Sequence, residues 1–106
     1  MTSTQLAWAV GLFEGEGCMT WRDKAHRRPY LKMAMTDFDV IRKFHELIGV
    51  GRLDIIDKKN PKWKDQLQWR TTNLKDCRDI LSMFLPQLGD RRAHKALDIL
   101  DQIECS

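Results

Sequence analysis

The 106-residue sequence predicts an α+β fold with an antiparallel sheet, in the order α-β-β-α-β-β-α-α. Two observations carry that expectation. Apolar and polar residues alternate in four short segments that arrive as two pairs, each pair split only by a polar stretch. Between and after the pairs, apolar residues recur at the spacing of amphipathic helices. Paired alternation with no helix between the partners means hairpins, and therefore antiparallel strands.

The elements follow in chain order. Thr4 to Val10 (TQLAWAV) reads as a short helix ended by Gly11 to Gly17 (GLFEGEG), where Gly15 and Gly17 are expected to turn the backbone with positive φ. Cys18 to Lys24 and Tyr30 to Thr36 alternate as strands joined near Arg28-Pro29, with Leu31, Met33 and Met35 on one face. Asp37-Phe38-Asp39 then starts a helix over 38–48, its apolar side made by Val40, Ile41, Phe44, Leu47 and Ile48, and Gly49 stops it. Arg52 to Asp57 and Gln66 to Thr72 form a second hairpin around a polar loop containing Asn60-Pro61. Asn73 caps a third helix with Leu74, Cys77, Ile80, Leu81, Phe84 and Leu85 on one side, ended by Pro86. A last helix spans Arg91 to Ile103.

The length suits one domain, 1–106, with a modest core and a thin stability margin as a monomer, so a partner subunit is expected. Hydrophobic content of 42% and charged content of 31% are those of a soluble globular protein. No apolar run approaches the roughly 20 residues of a membrane span, and the N-terminus lacks the regions of a signal peptide. Cys18, Cys77 and Cys105 are odd in number and far apart, which suits reduced thiols in an intracellular protein. His26, His45 and His94 are too dispersed for a zinc finger or an H-E-x-x-H site.

Net charge is +3, but its distribution says more. From Thr20 to Lys32, Arg22, Lys24, Arg27, Arg28 and Lys32 face only Asp23; from Lys58 to Arg70, Lys58, Lys59, Lys62, Lys64 and Arg70 face only Asp65. Two such segments suggest one surface able to meet phosphates.

Strand alternation divides that surface. Thr20, Arg22, Lys24 and His26 share one face of the first strand, and Tyr30, Lys32 and Ala34 that of the second. On the third, Leu53 and Ile55 are expected in the core, with Arg52, Asp54 and Ile56 outward. On the fourth, Leu67 and Trp69 point inward, and Gln66, Gln68 and Arg70 outward. Arginine and glutamine read guanine and adenine edges in the major groove, so this face suits direct readout of double-stranded DNA. Arg27, Arg28, Lys58, Lys59, Lys62 and Lys64 lie in the hairpin loops, where phosphate contacts are expected. Trp69 and Trp21 read as core, and Trp63 as a loop residue able to stack on DNA or to join a small apolar cluster.

Glu14 and Glu16 sit where a helix C-terminus disfavours negative charge. A glycine carbonyl beside a carboxylate is a hard oxygen pair suited to Mg²⁺, which takes one or two protein carboxylates and completes its shell with water and phosphate oxygens. Gly11 and Gly15, on one helix stripe with Trp8 and Leu12, would let two helix backbones approach closely. On a two-fold axis that contact brings two Glu16 carboxylates together, and like charges about 4 Å apart at an effective dielectric near 20 repel by roughly 4 kcal/mol, which divalent cations would offset.

Ala9-Val10-Gly11-Leu12-Phe13-Glu14-Gly15-Glu16-Gly17 resembles the LAGLIDADG motif of homing endonucleases, departing at Ala9 and Val10 and in having glutamate for both acids. Leu47-Ile48-Gly49-Val50-Gly51 and Leu85-Pro86-Gln87-Leu88 resemble two further segments of that family, as does the αββαββα order, so the likeness covers most of the chain. The resemblance implies a saddle-shaped sheet over the DNA major groove and a homodimer joined through Trp8, Gly11, Leu12 and Gly15; the C-terminal helix from Arg91 to Ile103 follows that αββαββα core. It implies Glu16 as metal ligand assisted by the Gly15 carbonyl, with Glu14 in a supporting role. Mg²⁺ is the implied cofactor, Mn²⁺ substituting and Ca²⁺ binding without cleavage. Arg91 falls where the family has a lysine near the reacting phosphate and would act only as an electrostatic clamp, since arginine cannot serve as a base. The family's water-organising polar residue falls near Thr36 or Asp37. The implied activity is site-specific double-strand DNA cleavage at a near-palindromic site, of the kind that mobilises introns and inteins. The alternative is a non-cleaving nucleic-acid-binding protein of the same fold, an RNA maturase or a transcription regulator.

Overall fold

The computed structural model describes all residues except 24, 26, 27, 58–61, 63, 105 and 106, and all side chains but those and 22, 23 and 104. The elements are α1 (Ser3–Glu16), β1 (Gly17–Asp23), β2 (Arg28–Met35), α2 (Phe38–Ile48), β3 (Arg52–Ile56), β4 (Gln66–Arg70), α3 (Leu74–Phe84), a 3₁₀ turn over Leu85–Gln87, and α4 (Asp90–Glu104). The class and order match the expectation; several details do not.

α1 is longer than the sequence suggests. It starts one residue earlier because Thr2 and Gln5 cap each other: the Gln5 N–H donates to Thr2 Oγ1 at 3.1 Å and the Thr2 N–H to Gln5 Oε1 at 2.8 Å. It then runs through Gly11 and Gly15 to Glu16. Each helical glycine costs about 1 kcal/mol relative to alanine. Burial of Ala9, Val10 and Phe13 against the sheet outweighs that cost. Nor does Gly15 or Gly17 adopt positive φ; Gly17 is extended at φ −84, and only Gly49 and Gly51 are left-handed among the described glycines. Gly17 is needed for space, since a Cβ there would overlap the Phe13 ring.

The four strands form one antiparallel sheet in the order β1-β2-β4-β3. The hairpins are joined through β2 and β4, and that seam continues one residue past β4. There the Thr71 N–H donates to the Leu31 carbonyl and the Leu31 N–H donates to Thr71 Oγ1, both at 3.0 Å. Thr71 is 1% exposed, so this reciprocal pair satisfies a hydroxyl that burial would otherwise penalise. Arg28 and Pro29 lie inside β2 rather than in the turn. Proline is tolerated because β2 meets β4 only from Lys32 onward, leaving the Pro29 end at an edge.

The helices cover one face of the sheet. Phe13, Phe84, Phe44 and Trp69 form a chain of edge-on rings, with centroids 5.6, 6.4 and 4.9 Å apart, that ties α1, α3, α2 and β4 together. Trp21 packs at the margin of this core. Asp37 and Asn73 cap α2 and α3 through the N–H groups of Val40 and Asp76. After α2, Gly49 and Gly51 turn the chain so that Trp69 Nε1 donates to the Val50 carbonyl at 3.0 Å and His45 Nε2 meets the Gly51 carbonyl at 3.2 Å.

Two expected core residues lie outside. Ile55 pairs with Leu67 and so has the helix-side orientation, but it is 65% exposed because β3 is an edge strand that the helices do not reach there. Leu74, in the first turn of α3, is 39% exposed.

Candidate functional site

The face of the sheet turned away from the helices carries Thr20 from β1, Arg28, Tyr30, Lys32 and Ala34 from β2, Gln66, Gln68 and Arg70 from β4, and Arg52, Asp54 and Ile56 from β3. Register arranges them in rows. Lys32 lies opposite Arg70, and Arg70 opposite Arg52, so one row crosses three neighbouring strands with a cation on each. The next row holds Ala34, Gln68 and Asp54. Like charges directly opposite one another destabilise a sheet. Asp54 relieves this by accepting from Arg52 Nε at 2.9 Å and approaching Arg70 Nε at 3.4 Å. Solvent-facing pairs of this kind, one exposed and one half-buried, add little stability. Their effect is to hold two guanidinium forks above the open face.

Glu16 sits at one end of this face. It ends α1, and its exposed side chain borders an open depression of about 370 Å³ lined by Ala34, Met35, Thr36, Asp37, Val40 and Gln66. The Gly17 N–H bonds the Phe13 carbonyl, which leaves the Gly15 carbonyl in the last turn, beyond the intrahelical ladder. Among the described residues no three His, Cys, Asp or Glu side chains form a metal-binding group. A hard cation that draws most of its shell from phosphate and water needs no such group, and one exposed carboxylate next to a free-ended carbonyl turn fits it.

Glu14 faces the other way. Its Oε1 accepts the Gly89 N–H at 2.5 Å, and its Oε2 lies 3.6 Å from Arg92 Nε. Gly89 is the residue whose carbonyl accepts the first hydrogen bond of α4, so the Glu14 carboxylate lies at the positive end of that helix. An acid misplaced at the end of its own helix is well placed at the start of another. Arg92 also donates from Nη1 to the Gly17 carbonyl at 2.9 Å and stands 6.0 Å from the Phe13 ring centre. Arg91, by contrast, is exposed and lines a groove of about 350 Å³ with Arg92, Lys95 and the β1 segment Gly17, Cys18 and Met19. It is not among the residues around the Glu16 depression.

No family model and no curated protein sequence matches this chain. Solved structures do. The homing endonuclease I-CvuI, bound to its target in the presence of 2 mM Ca, superposes with a TM-score of 0.71 at 17% identity over 95% of this chain and 66% of that one. I-CvuI on the I-CreI target with 2 mM Mg, where the DNA is not cleaved, gives 0.69, again at 17% over 95% and 66%. The archaeal intron-encoded homing endonuclease I-Vdi141I in complex with DNA gives 0.68 at 14% identity over 92% and 65%. This chain has the LAGLIDADG homing endonuclease fold.

The chain spans just under two thirds of the length of these structures. Within the LAGLIDADG fold, the acidic helix end is the C-terminus of α1 and the open sheet face is built from the two hairpins. Of the residues singled out from the sequence, Thr20, Arg28, Tyr30, Lys32, Arg52, Asp54, Gln66, Gln68 and Arg70 share that face, and Gln66 also borders the Glu16 depression. Lys24, His26, Arg27, Lys58, Lys59 and Trp63, with the side chain of Arg22, lie outside the described residues. On α1, Gly11 and Gly15 are open, with nothing among the described residues beyond the helix's own backbone within 4 Å of a Cβ built on either, while Trp8 and Leu12 are half-buried. Lys43 Nζ stands 4.3 Å from the Trp8 ring centre. Arg92 was not foreseen; only its place next to Arg91 in the sequence pointed toward it.

Proposed function

We propose that this chain is a divalent-metal-dependent, site-specific double-strand DNA endonuclease that acts as a homodimer. The observation that carries the reading is the position of Glu16: an exposed carboxylate at the end of α1, beside an open sheet face on which Lys32, Arg70 and Arg52 stand in one row. Three cations in register are a cost to an isolated sheet and an asset against phosphates and guanine edges.

Each group then has a task. Arg52 and Arg70 present bidentate forks to guanine, and Gln66 and Gln68 present amides suited to adenine. The basic hairpin ends supply phosphate contacts that give affinity and register without sequence information. Glu16 and the Gly15 carbonyl hold a Mg²⁺ ion, which when bound supplies an activated water and neutralises charge on the transferring phosphoryl group. Arg91 adds positive charge and cannot move a proton. The open strip of α1 formed by Ala7, Gly11 and Gly15, flanked by Trp8 and Leu12, is the surface on which a second copy packs. Two-fold symmetry then makes the target near-palindromic.

The test is cleavage of a randomised DNA library by the purified protein with Mg²⁺, alongside Ca²⁺ and Glu16→Gln. Cuts at one near-palindromic sequence, lost in Glu16→Gln while binding persists, are the expected result. Selective binding without cutting in any divalent metal would transfer the assignment to a non-cleaving maturase or regulator. The separation of Arg91 from the Glu16 depression is the observation that favours that second reading.

A further inference from the structure

We infer that Arg92 is a positioning residue for Glu16, holding the end of α1 from behind by bracketing the residues on either side of it. The inference rests on the proposed role of Glu16 and adds a group that neither the motif nor the open face contains.

Among the described residues no hydrogen bond or ion pair is made by the Glu16 carboxylate. A side chain without a partner is aimed only by its own backbone. That backbone lies at a helix end, where the ladder runs out; Gly15 before it is exposed and brings no side chain to pack, while Gly17 after it is held in β1 opposite Met33. On its helix side, this junction has little else to hold it.

Arg92 closes it. Nε faces Glu14 Oε2 at 3.6 Å, Nη1 donates to the Gly17 carbonyl at 2.9 Å, and the guanidinium lies 6.0 Å from the centre of the Phe13 ring. The contacted residues precede and follow Glu16, so both ends of the turn are tied to one rigid plane. Glu14 in turn bonds the Gly89 N–H, which locks the plane's other partner to the first turn of α4. Arg92 is only 20% exposed and Glu14 31%, which limits screening by solvent. Phe13, fully buried, anchors the assembly in the core.

The geometry uses the shape of arginine rather than its charge. A guanidinium presents Nε and Nη1 in one rigid plane, here to a carboxylate and a carbonyl at once; an ammonium is a single point that meets one of them at a time. Arg92→Lys therefore preserves charge and most of the fold but releases half of the bracket. Because a displacement of about 1 Å at a reacting group can cost a hundredfold in rate, the loss falls on chemistry more than on binding.

The experiment uses the full chain as wild type, Arg92→Lys and Arg92→Leu, with two independent readouts. Amide hydrogen exchange over Gly15 to Cys18 reports the turn itself, with urea denaturation as the measure of global stability. Single-turnover cleavage at saturating enzyme, with DNA affinity measured in Ca²⁺, reports the chemistry. The expected result for Arg92→Lys is faster exchange confined to Gly15–Cys18, DNA affinity within about twofold, a single-turnover rate lower by about ten- to a hundredfold, and a higher half-saturating Mg²⁺ concentration. Unchanged exchange over that turn overturns the inference. So does a rate loss in Arg92→Lys and Arg92→Leu that merely follows the folded fraction. A wild-type protein that cuts no DNA sinks the nuclease reading alone, and the exchange comparison still decides whether Arg92 brackets the turn.

Discussion

Gly11→Ala separates the needs of the folded chain from those of a two-fold assembly. In the monomer the substitution should help. Gly11 lies inside α1, and among the described residues nothing beyond the helix's own backbone comes within 4 Å of an added Cβ. Alanine is favoured over glycine in a helix interior by about 1 kcal/mol, which in a domain of this size raises Tm by about 4–8 °C. In a dimer packed through this strip, the same methyl enters a close backbone contact from both copies. Overpacking costs about 1–3 kcal/mol per site, so the dimer loses at least about 2 kcal/mol, roughly thirtyfold in its dissociation constant. The assays are thermal unfolding at concentrations below dimer dissociation and sedimentation velocity across a hundredfold range. A variant with raised Tm and weakened self-association is expected, with cleavage reduced in proportion to the dimer lost. An unaltered dimer constant would refute the placement of Gly11 at the interface, and a lowered monomer Tm would refute the claim that its Cβ points into open space.

Asp54→Asn should tighten binding to arbitrary DNA at low salt and weaken discrimination, because it removes the one acid among Lys32, Arg70 and Arg52 and frees both guanidiniums to rotate. Titrations of target and scrambled duplexes at two salt concentrations check this, and an unchanged affinity ratio would count against an orienting role. Gly17→Ala should destabilise the chain by about 1–3 kcal/mol, read from urea denaturation, because its methyl must displace the buried Phe13 ring. Burial pushes the Cys77 thiol up to about 12 from an ordinary 9.0. A raised value favours the neutral thiol in the folded state, so this contribution to stability is intact below pH 9 and lost between pH 9 and 12 at about 1.4 kcal/mol per pH unit. The difference in pH dependence between wild type and Cys77→Ala isolates it, and parallel curves would refute the assignment.

What the sequence made legible was whatever is local and periodic. The bounds of α2, the caps Asp37 and Asn73, and the outward sets on β2 and β4 follow from spacing and from side chains that bond three residues away. Glycine content misled at α1, since a propensity penalty of about 1 kcal/mol per glycine was overruled by packing that only the folded chain creates. Ile55 misled for the complementary reason: alternation gives its direction, but nothing local says that the helices stop short of the β3 edge. Register between hairpins was equally hidden. No spacing in the chain announces that Lys32, Arg70 and Arg52 stand in one row, because β2 and β4 belong to different hairpins. Arg92 was invisible for the same cause, its partners being some 75 residues away.

The sheet is covered on one side only, and this has a consequence for how such a protein can change over generations. Along β2 and β4 each residue that holds the core, such as Leu31, Met33, Leu67 or Trp69, is followed by a half-buried one on the open face. Substitutions at the second kind leave the core nearly untouched, while those at the first leave the composition of the open face untouched. Heritable drift at positions such as Gln66, Gln68 and Arg70 can therefore change what the open face binds one residue at a time, without passing through an unfolded ancestor.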